Sequence, residues 1–238
     1  MASNSGCTSG HHACGKQRKP CFFRSSIGKK YIMGATGLGL SLFVLMHMLG
    51  NLGLFVSAEA YNKYSHALVS NPVIYLAEAG LLGVFIFHLI NGLCLTFTNK
   101  RARPQPYAMI TQGEKAVTHA SRTMIHTGVV VFIFTIYHLV TFKYGPYYQA
   151  TYDGVTMRDL QRLVVEVFQS PAYVVGYIIA LLALGHHLSH GVQSAFQSLG
   201  FNHAKYDCFV KRFGYGFALL VTLGFISQPL YVYFYLNR

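Results

Sequence analysis

The sequence predicts an all-α membrane protein, a bundle of five transmembrane helices, and three observations carry that prediction. First, 53% of the 238 residues are hydrophobic and only 11% charged, with a mean hydropathy of +0.36. A soluble domain carries about 25% charged residues. Second, five long runs are almost free of charge: Tyr31 to Val56, Pro72 to Thr98 (where Glu78 is the exception), Thr123 to Phe142, Ala172 to Ser198 and Phe213 to Leu236. Each reaches the ~20 residues that cross a hydrocarbon core, where a lone segment satisfies its backbone only as a helix. Third, the basic residues are lopsided. With the N-terminal tail and the second–third and fourth–fifth connections on one side, that side holds Lys16, Arg18, Lys19, Arg24, Lys29, Lys30, Lys100, Arg101, Arg103, Lys115, Arg122, Lys205, Lys211 and Arg212. Lys63, Lys143, Arg158, Arg162 and Arg238 fall on the other. The positive-inside rule then puts the N-terminus in the cytoplasm and the C-terminus outside. The net charge of +12 and pI near 9.6 are therefore a topology signal, with affinity for anionic lipid or an acidic partner, and no nucleic-acid footprint is implied.

In chain order, residues 1–29 form a basic cytoplasmic tail and 30–237 the membrane domain, with spans at about 30–56, 71–98, 121–143, 171–199 and 212–236. The first 30 residues lack the apolar stretch of a signal peptide. Cys7, Cys14 and Cys21, with His11 and His12 among them, match none of the usual zinc spacings and read as a reduced tail. Cys94 and Cys208 read as small packing residues. In the first span Gly34, Gly37 and Gly39 permit close approach of a helix or a flat ligand. An outer loop from Ser57 leads to Asn71-Pro72, which opens the second span. Lys100 to Arg103, then Pro104 and Pro106, end it. In the outer connection from Lys143 to Ser170, apolar residues recur at helical spacing between Val155 and Phe168, alongside Arg158, Asp159, Arg162 and Glu166. That pattern predicts an amphipathic interfacial helix. The fifth span carries no histidine, and its Tyr231, Tyr233 and Tyr235 suit an outer aromatic belt.

Histidines within spans are costly and mark function by default. His187-Leu188-x-x-Gly191 repeats His88-Leu89-x-x-Gly92, and each ends on a phenylalanine, Phe196 and Phe97. The repeat selects His187 over its neighbours His186 and His190. At a rise of 1.5 Å per residue, His47 lies about 25 Å beyond Lys30 and His138 about 24 Å beyond Arg122, both on outward-running helices. His88 and His187 lie about 25 and 24 Å along inward-running ones. Two pairs at matched depths result: His47 with His138 in the outer half, and His88 with His187 in the inner half. A single such histidine is often a packing residue; two matched pairs point to ligation. Facing imidazoles in an apolar bundle are what six-coordinate haem b requires. A metal cage needs carboxylates or thiolates at the same level, and a proton relay needs a continuous ladder of acids. His126 reads as an interface residue, and His66, His119 and His203 as solvated.

Met46-His47-Met48, Asn71-Pro72 with Glu78 and His88, Ser121-Arg122 with His138, and His187 with Gly191 together resemble the di-haem cytochrome b membrane anchors of succinate:quinone oxidoreductases. The resemblance runs from Ile27 to Asn237. It implies two haems b, the proximal one on His88 and His187 and the distal one on His47 and His138, with Ser121 and Arg122 facing the proximal propionates. It also implies flavoprotein and iron–sulfur partner subunits that interconvert succinate and fumarate, and a quinone substrate, menaquinone in most such anchors. One position departs: some relatives place an acid two residues before the fourth-span ligand, where this chain has Gly185. Glu78, about 10 Å inside the outer boundary, is the first candidate for quinol deprotonation and Glu166 the second. The plainer role for Glu78 is a structural bond to a neighbouring helix. The competing reading is the cytochrome b subunit of another quinone-linked complex, of the hydrogenase or formate dehydrogenase type.

Overall fold

The computed structural model describes residues 25–102, 105, 118–201 and 203–236. The cysteine-bearing part of the tail and the Pro104/Pro106 connection lie outside the described residues. Seven α-helices are described: α1 (Ser26–Asn51), α2 (Ala58–Val69), α3 (Val73–Ala102), α4 (His119–His138), α5 (Leu160–Phe168), α6 (Pro171–Ser198) and α7 (Ala204–Tyr231). Five helical stretches are long and apolar enough to cross a membrane: Ser26–Phe55, Val73–Ala102, His119–Lys143, Pro171–Ser198 and Lys205–Leu236.

The helix starts follow local chemistry. Ser25 accepts from the Gly28 amide at 3.0 Å and Thr118 from the Ser121 amide at 3.1 Å, so each hydroxyl satisfies an orphaned first-turn donor. Pro171 sits in the first turn of α6, where its missing N–H costs nothing. The fifth membrane helix begins earlier than hydropathy indicates. His203 caps it by accepting from the Lys205 amide, and Lys205, Lys211 and Arg212 occupy its first turns instead of a connection. Long cationic side chains reach the headgroups from a helix as readily as from a loop.

The hub is α6. It packs against α1, α4 and α7, and Leu188 and Val192 form a buried cluster with Ala218 and Val221 of α7. α1 packs along α3 on its other side. α3 and α4 approach only loosely, and no residue of α3 is fully buried. Across that seam, Phe85 stacks on Phe132 at 6.2 Å, and Glu78 pairs with Lys143 at 2.5 Å.

The outer connections fold into a cap, which corrects two expectations. The stretch after Ser57 is helical, α2, where a loop is predicted. Val155 to Phe168 is also not one helix. Strands β1 (Gln149–Tyr152) and β2 (Val155–Arg158) pair antiparallel, and only Leu160–Phe168 is helical. The reason is the Asp153-Gly154 turn, with φ of 51° and 77°; two left-handed residues in succession suit a tight hairpin. Asn62, 0% exposed, locks the cap: it donates to Asp159 Oδ1 at 2.8 Å and accepts from the Gln161 amide at 3.0 Å. Lys63 bonds Asp153 and Glu59, and these hydrogen bonds push its pKa upward. Leu163, Val164 and Phe168 of α5 are buried, and the latter two share a core cluster with Leu54, Tyr61 and Tyr177.

The cap also finishes α4. Beyond His138 the chain widens into a π-helical turn, Leu139–Lys143, closed by a bond from the Tyr144 amide to the Leu139 carbonyl at 3.0 Å. Gly145 follows, pressed so closely on the Thr141 carbonyl that a Cβ would collide with it. Arg158 Nη2 donates to the carbonyls of Phe142 at 2.8 Å and Pro146 at 3.2 Å, placing a cation at the negative end of the helix. A charged donor of this kind contributes about 1.5–3 kcal/mol. Arg158→Gln is therefore expected to raise amide exchange of residues 139–145 about tenfold or more while leaving 120–130 unchanged, read by hydrogen-exchange mass spectrometry.

Candidate functional site

The bundle brings four of the predicted histidines together as two pairs. His88 of α3 and His187 of α6 have ring centroids 6.3 Å apart; His47 of α1 and His138 of α4 are 5.8 Å apart. With metal–nitrogen bonds of about 2.0–2.1 Å, two imidazoles on opposite sides of one ion have centroids about 6 Å apart. Both separations therefore admit an ion held between the rings by one nitrogen from each. Among the described residues, no three His, Cys, Asp or Glu side chains gather into a metal cage.

Glycines mark the inner level. A Cβ on Gly37 would lie 3.4 Å from Cε1 of His88, and one on Gly128 the same distance from Cε1 of His187. His47 and His138 each follow ten residues later on those same helices, about 15 Å further along the bundle. The two levels have different surroundings. Around the outer pair, Phe43 and Phe225 contact the His47 ring at 5.5 and 5.9 Å, and Phe142, Phe134 and Tyr177 contact His138 at 5.3, 5.8 and 6.2 Å. Among the described residues, the buried Nδ1 of His138 has no hydrogen-bond partner. At the inner level both Nδ1 atoms have one: Thr36 Oγ1 lies 3.1 Å from Nδ1 of His88, and Thr127 Oγ1 lies 3.1 Å from Nδ1 of His187.

The two threonines were not singled out by the sequence reading, although a signal was present. Thr36-Gly37 precedes His47 with the same spacing that separates Thr127-Gly128 from His138. Combined with the His-Leu-x-x-Gly repeat, this makes α1 with α3 and α4 with α6 two copies of one unit. Within each copy, the first helix supplies Thr and Gly to the histidine of the second, and its own histidine to the outer level.

The remaining histidines diverge. His186 turns toward the start of α4, with Nε2 3.0 Å from Thr123 Oγ1 and its ring 5.6 Å from that of His119. His190 is half-buried, and His126 is exposed on α4. His66 lies beside Ser70, and His203 is the cap of α7. Ser121 and Arg122 occupy the first turn of α4, about 9–11 Å before Gly128 along the helix. The two carboxylate candidates are not brought together. Glu78 pairs with Lys143 at the outer end of the seam, both side chains about two-fifths exposed. Glu166 stands on α5, where hydrogen bonds from Tyr148 and then Arg162 hold it below the usual carboxylate range. Its ionised form thus persists at neutral pH, and those bonds weaken only as pH falls through the lowered value.

Gly185 is buried where α6 crosses α7, and a Cβ there would sit 3.2 Å from both Cβ and Cγ2 of Thr222. The helix contact itself leaves no room for an acid at this position. Gly185→Glu should destabilise the bundle by about 1–3 kcal/mol through overpacking, measured as a lower Tm in detergent. Adding Thr222→Ala should recover part of that loss.

The family model for the succinate dehydrogenase/fumarate reductase transmembrane subunit matches residues 100–226 of the chain. The succinate dehydrogenase cytochrome b558 subunit of Bacillus subtilis (strain 168) is 24% identical over 164 residues, which is 68% of this chain and 73% of that protein. No solved structure is matched.

Proposed function

The chain belongs to the succinate dehydrogenase/fumarate reductase transmembrane subunit family, and from that premise we propose that it is a di-haem cytochrome b anchor linking an iron–sulfur partner subunit to a quinone. Membership makes it a multi-pass subunit of an enzyme complex in the cytoplasmic membrane. One observation carries the finer reading: two imidazole pairs, each about 6 Å between ring centroids, stacked at two levels of an apolar bundle. When bound, haem b supplies a one-electron carrier at each level.

The protein's part is to hold and insulate. His88 and His187 would ligate the inner haem, and His47 and His138 the outer one. Gly37 and Gly128 leave space beside the inner imidazoles; a methyl group at either would come into contact with the ring. Ser121 and Arg122 face the inner end, where propionates would emerge. The phenylalanines around the outer pair exclude water. The distribution of basic residues supports a cytoplasmic N-terminus, which puts the His88/His187 level beside the iron–sulfur subunit. Succinate and fumarate chemistry then belongs to the flavoprotein, and the quinone is of the menaquinone class. Glu78, paired with Lys143, is the first candidate to take a quinol proton, and Glu166 is the second. Family membership disfavours the hydrogenase or formate dehydrogenase type of cytochrome.

Two measurements test this. The purified complex should show two b-type signals in a reduced-minus-oxidised spectrum, contain a flavoprotein, and lose one haem per chain in His187→Ala but none in His186→Ala. A complex without a b-type spectrum overturns the reading. Glu78→Gln should lower quinol-linked turnover about 10²-fold with both haem signals intact; unchanged turnover removes Glu78 from the chemistry.

A further inference from the structure

The inner and outer pairs differ in what lies behind the rings, and that difference has a chemical consequence. A threonine hydroxyl has one proton and two lone pairs. Thr36 Oγ1 lies 2.7 Å from the Ile32 carbonyl and 3.3 Å from that of Met33. Thr127 Oγ1 lies 3.2 Å from the Thr123 carbonyl and 3.1 Å from that of Met124. Carbonyls only accept, so in each case the helix backbone can take the hydroxyl proton. The hydroxyl then offers a lone pair to the histidine 3.1 Å away, and the ring can donate to it. The contact thus suits a ring of His88 or His187 that carries its proton on Nδ1. In the neutral ring that leaves the Nε2 lone pair free for a metal, which is the form a ligand must take.

From this arrangement, and resting on the di-haem reading above, we infer that Thr36 and Thr127 are positioning residues that set the tautomer and the electron-donating strength of the inner ligand pair alone. A ligating imidazole that donates its other N–H is oriented by the acceptor and becomes a more basic ligand. A more basic pair favours ferric over ferrous iron, so the threonines lower the potential of the inner haem from what bare rings would give. The outer pair lacks this device: among the described residues Nδ1 of His138 is buried without a partner, and the rings are walled by phenylalanine. The doubled Thr-Gly spacing shows that the contact is built into each two-helix unit, since both copies reproduce the oxygen–nitrogen distance and the glycine clearance. Local packing alone does not require a hydroxyl here, because valine has the same shape.

The test uses Thr36→Val, Thr127→Val, the double variant and the matching serine variants in the intact complex, followed by redox titration and low-temperature electron paramagnetic resonance. The inner-haem midpoint should rise in each valine variant and most in the double, with a shift of its low-spin g-max, while the outer haem keeps both values. The serine variants, which keep the hydroxyl, should restore wild-type behaviour. Loss of the inner haem alone in the double valine variant, with recovery by serine, also supports the inference. It is overturned if the inner-haem signals stay unchanged, if both haems shift together or are lost together, or if serine behaves like valine. A wild-type complex lacking two b-type signals would remove the premise itself; two wild-type signals with an unmoved valine variant would remove only this inference.

Discussion

Everything in this bundle answers one constraint: polar imidazoles have to sit in pairs, about 6 Å apart, inside an apolar bundle. A buried polar nitrogen without a partner costs free energy, and a charged one far more, so what surrounds each ring matters. The inner pair is supplied with threonine hydroxyls and the outer pair with aromatic rings. The centroid separations of 5.8 and 6.3 Å are held from four helices, one histidine from each. No single helix could provide this, because residues on one helix share its axis and cannot oppose one another across a gap.

The four histidine helices are two copies of a two-helix unit, yet the bundle is not symmetric. The seam between α1 and α6 is tight, whereas its counterpart between α3 and α4 is loose. α7 accounts for the difference. It has no counterpart in the repeat, it packs on α6 and α1, and its Ala218 and Val221 complete the buried cluster on that side. On the loose side, one aromatic stack and the Glu78–Lys143 pair hold the helices in relation. The side that α7 leaves uncovered is therefore the one where Glu78 stands.

The outer cap matters to the site because α4 ends just beyond His138. The π-helical turn after His138, the pressed Gly145 and the Arg158 bonds together terminate a helix whose last carbonyls would otherwise face the membrane boundary unpaired. Asn62 and Asp159 fix the strand end that delivers Arg158. A polar network some distance from the histidines thus determines how firmly one of them is anchored.

Sequence alone determined the class of the protein, its five membrane crossings and the matched depths of its histidines. Those properties follow from run length, from depth at a constant rise per residue and from internal repetition, all of which are linear in the chain. The hairpin was legible too, in Asp153-Gly154, but the apolar spacing from Val155 to Phe168 imitated a helix. The start of α7 was not legible, because hydropathy registers the apolar core and not the polar turns that extend it. Only the tertiary structure decided which helix faces which. It decided that His186 turns to Thr123 while His187 turns to His88, that Thr222 fills the space beside Gly185, and that Glu78 meets Lys143. Each of these depends on helix rotation, and rotation is set by packing against neighbours remote in the chain, which no local pattern encodes.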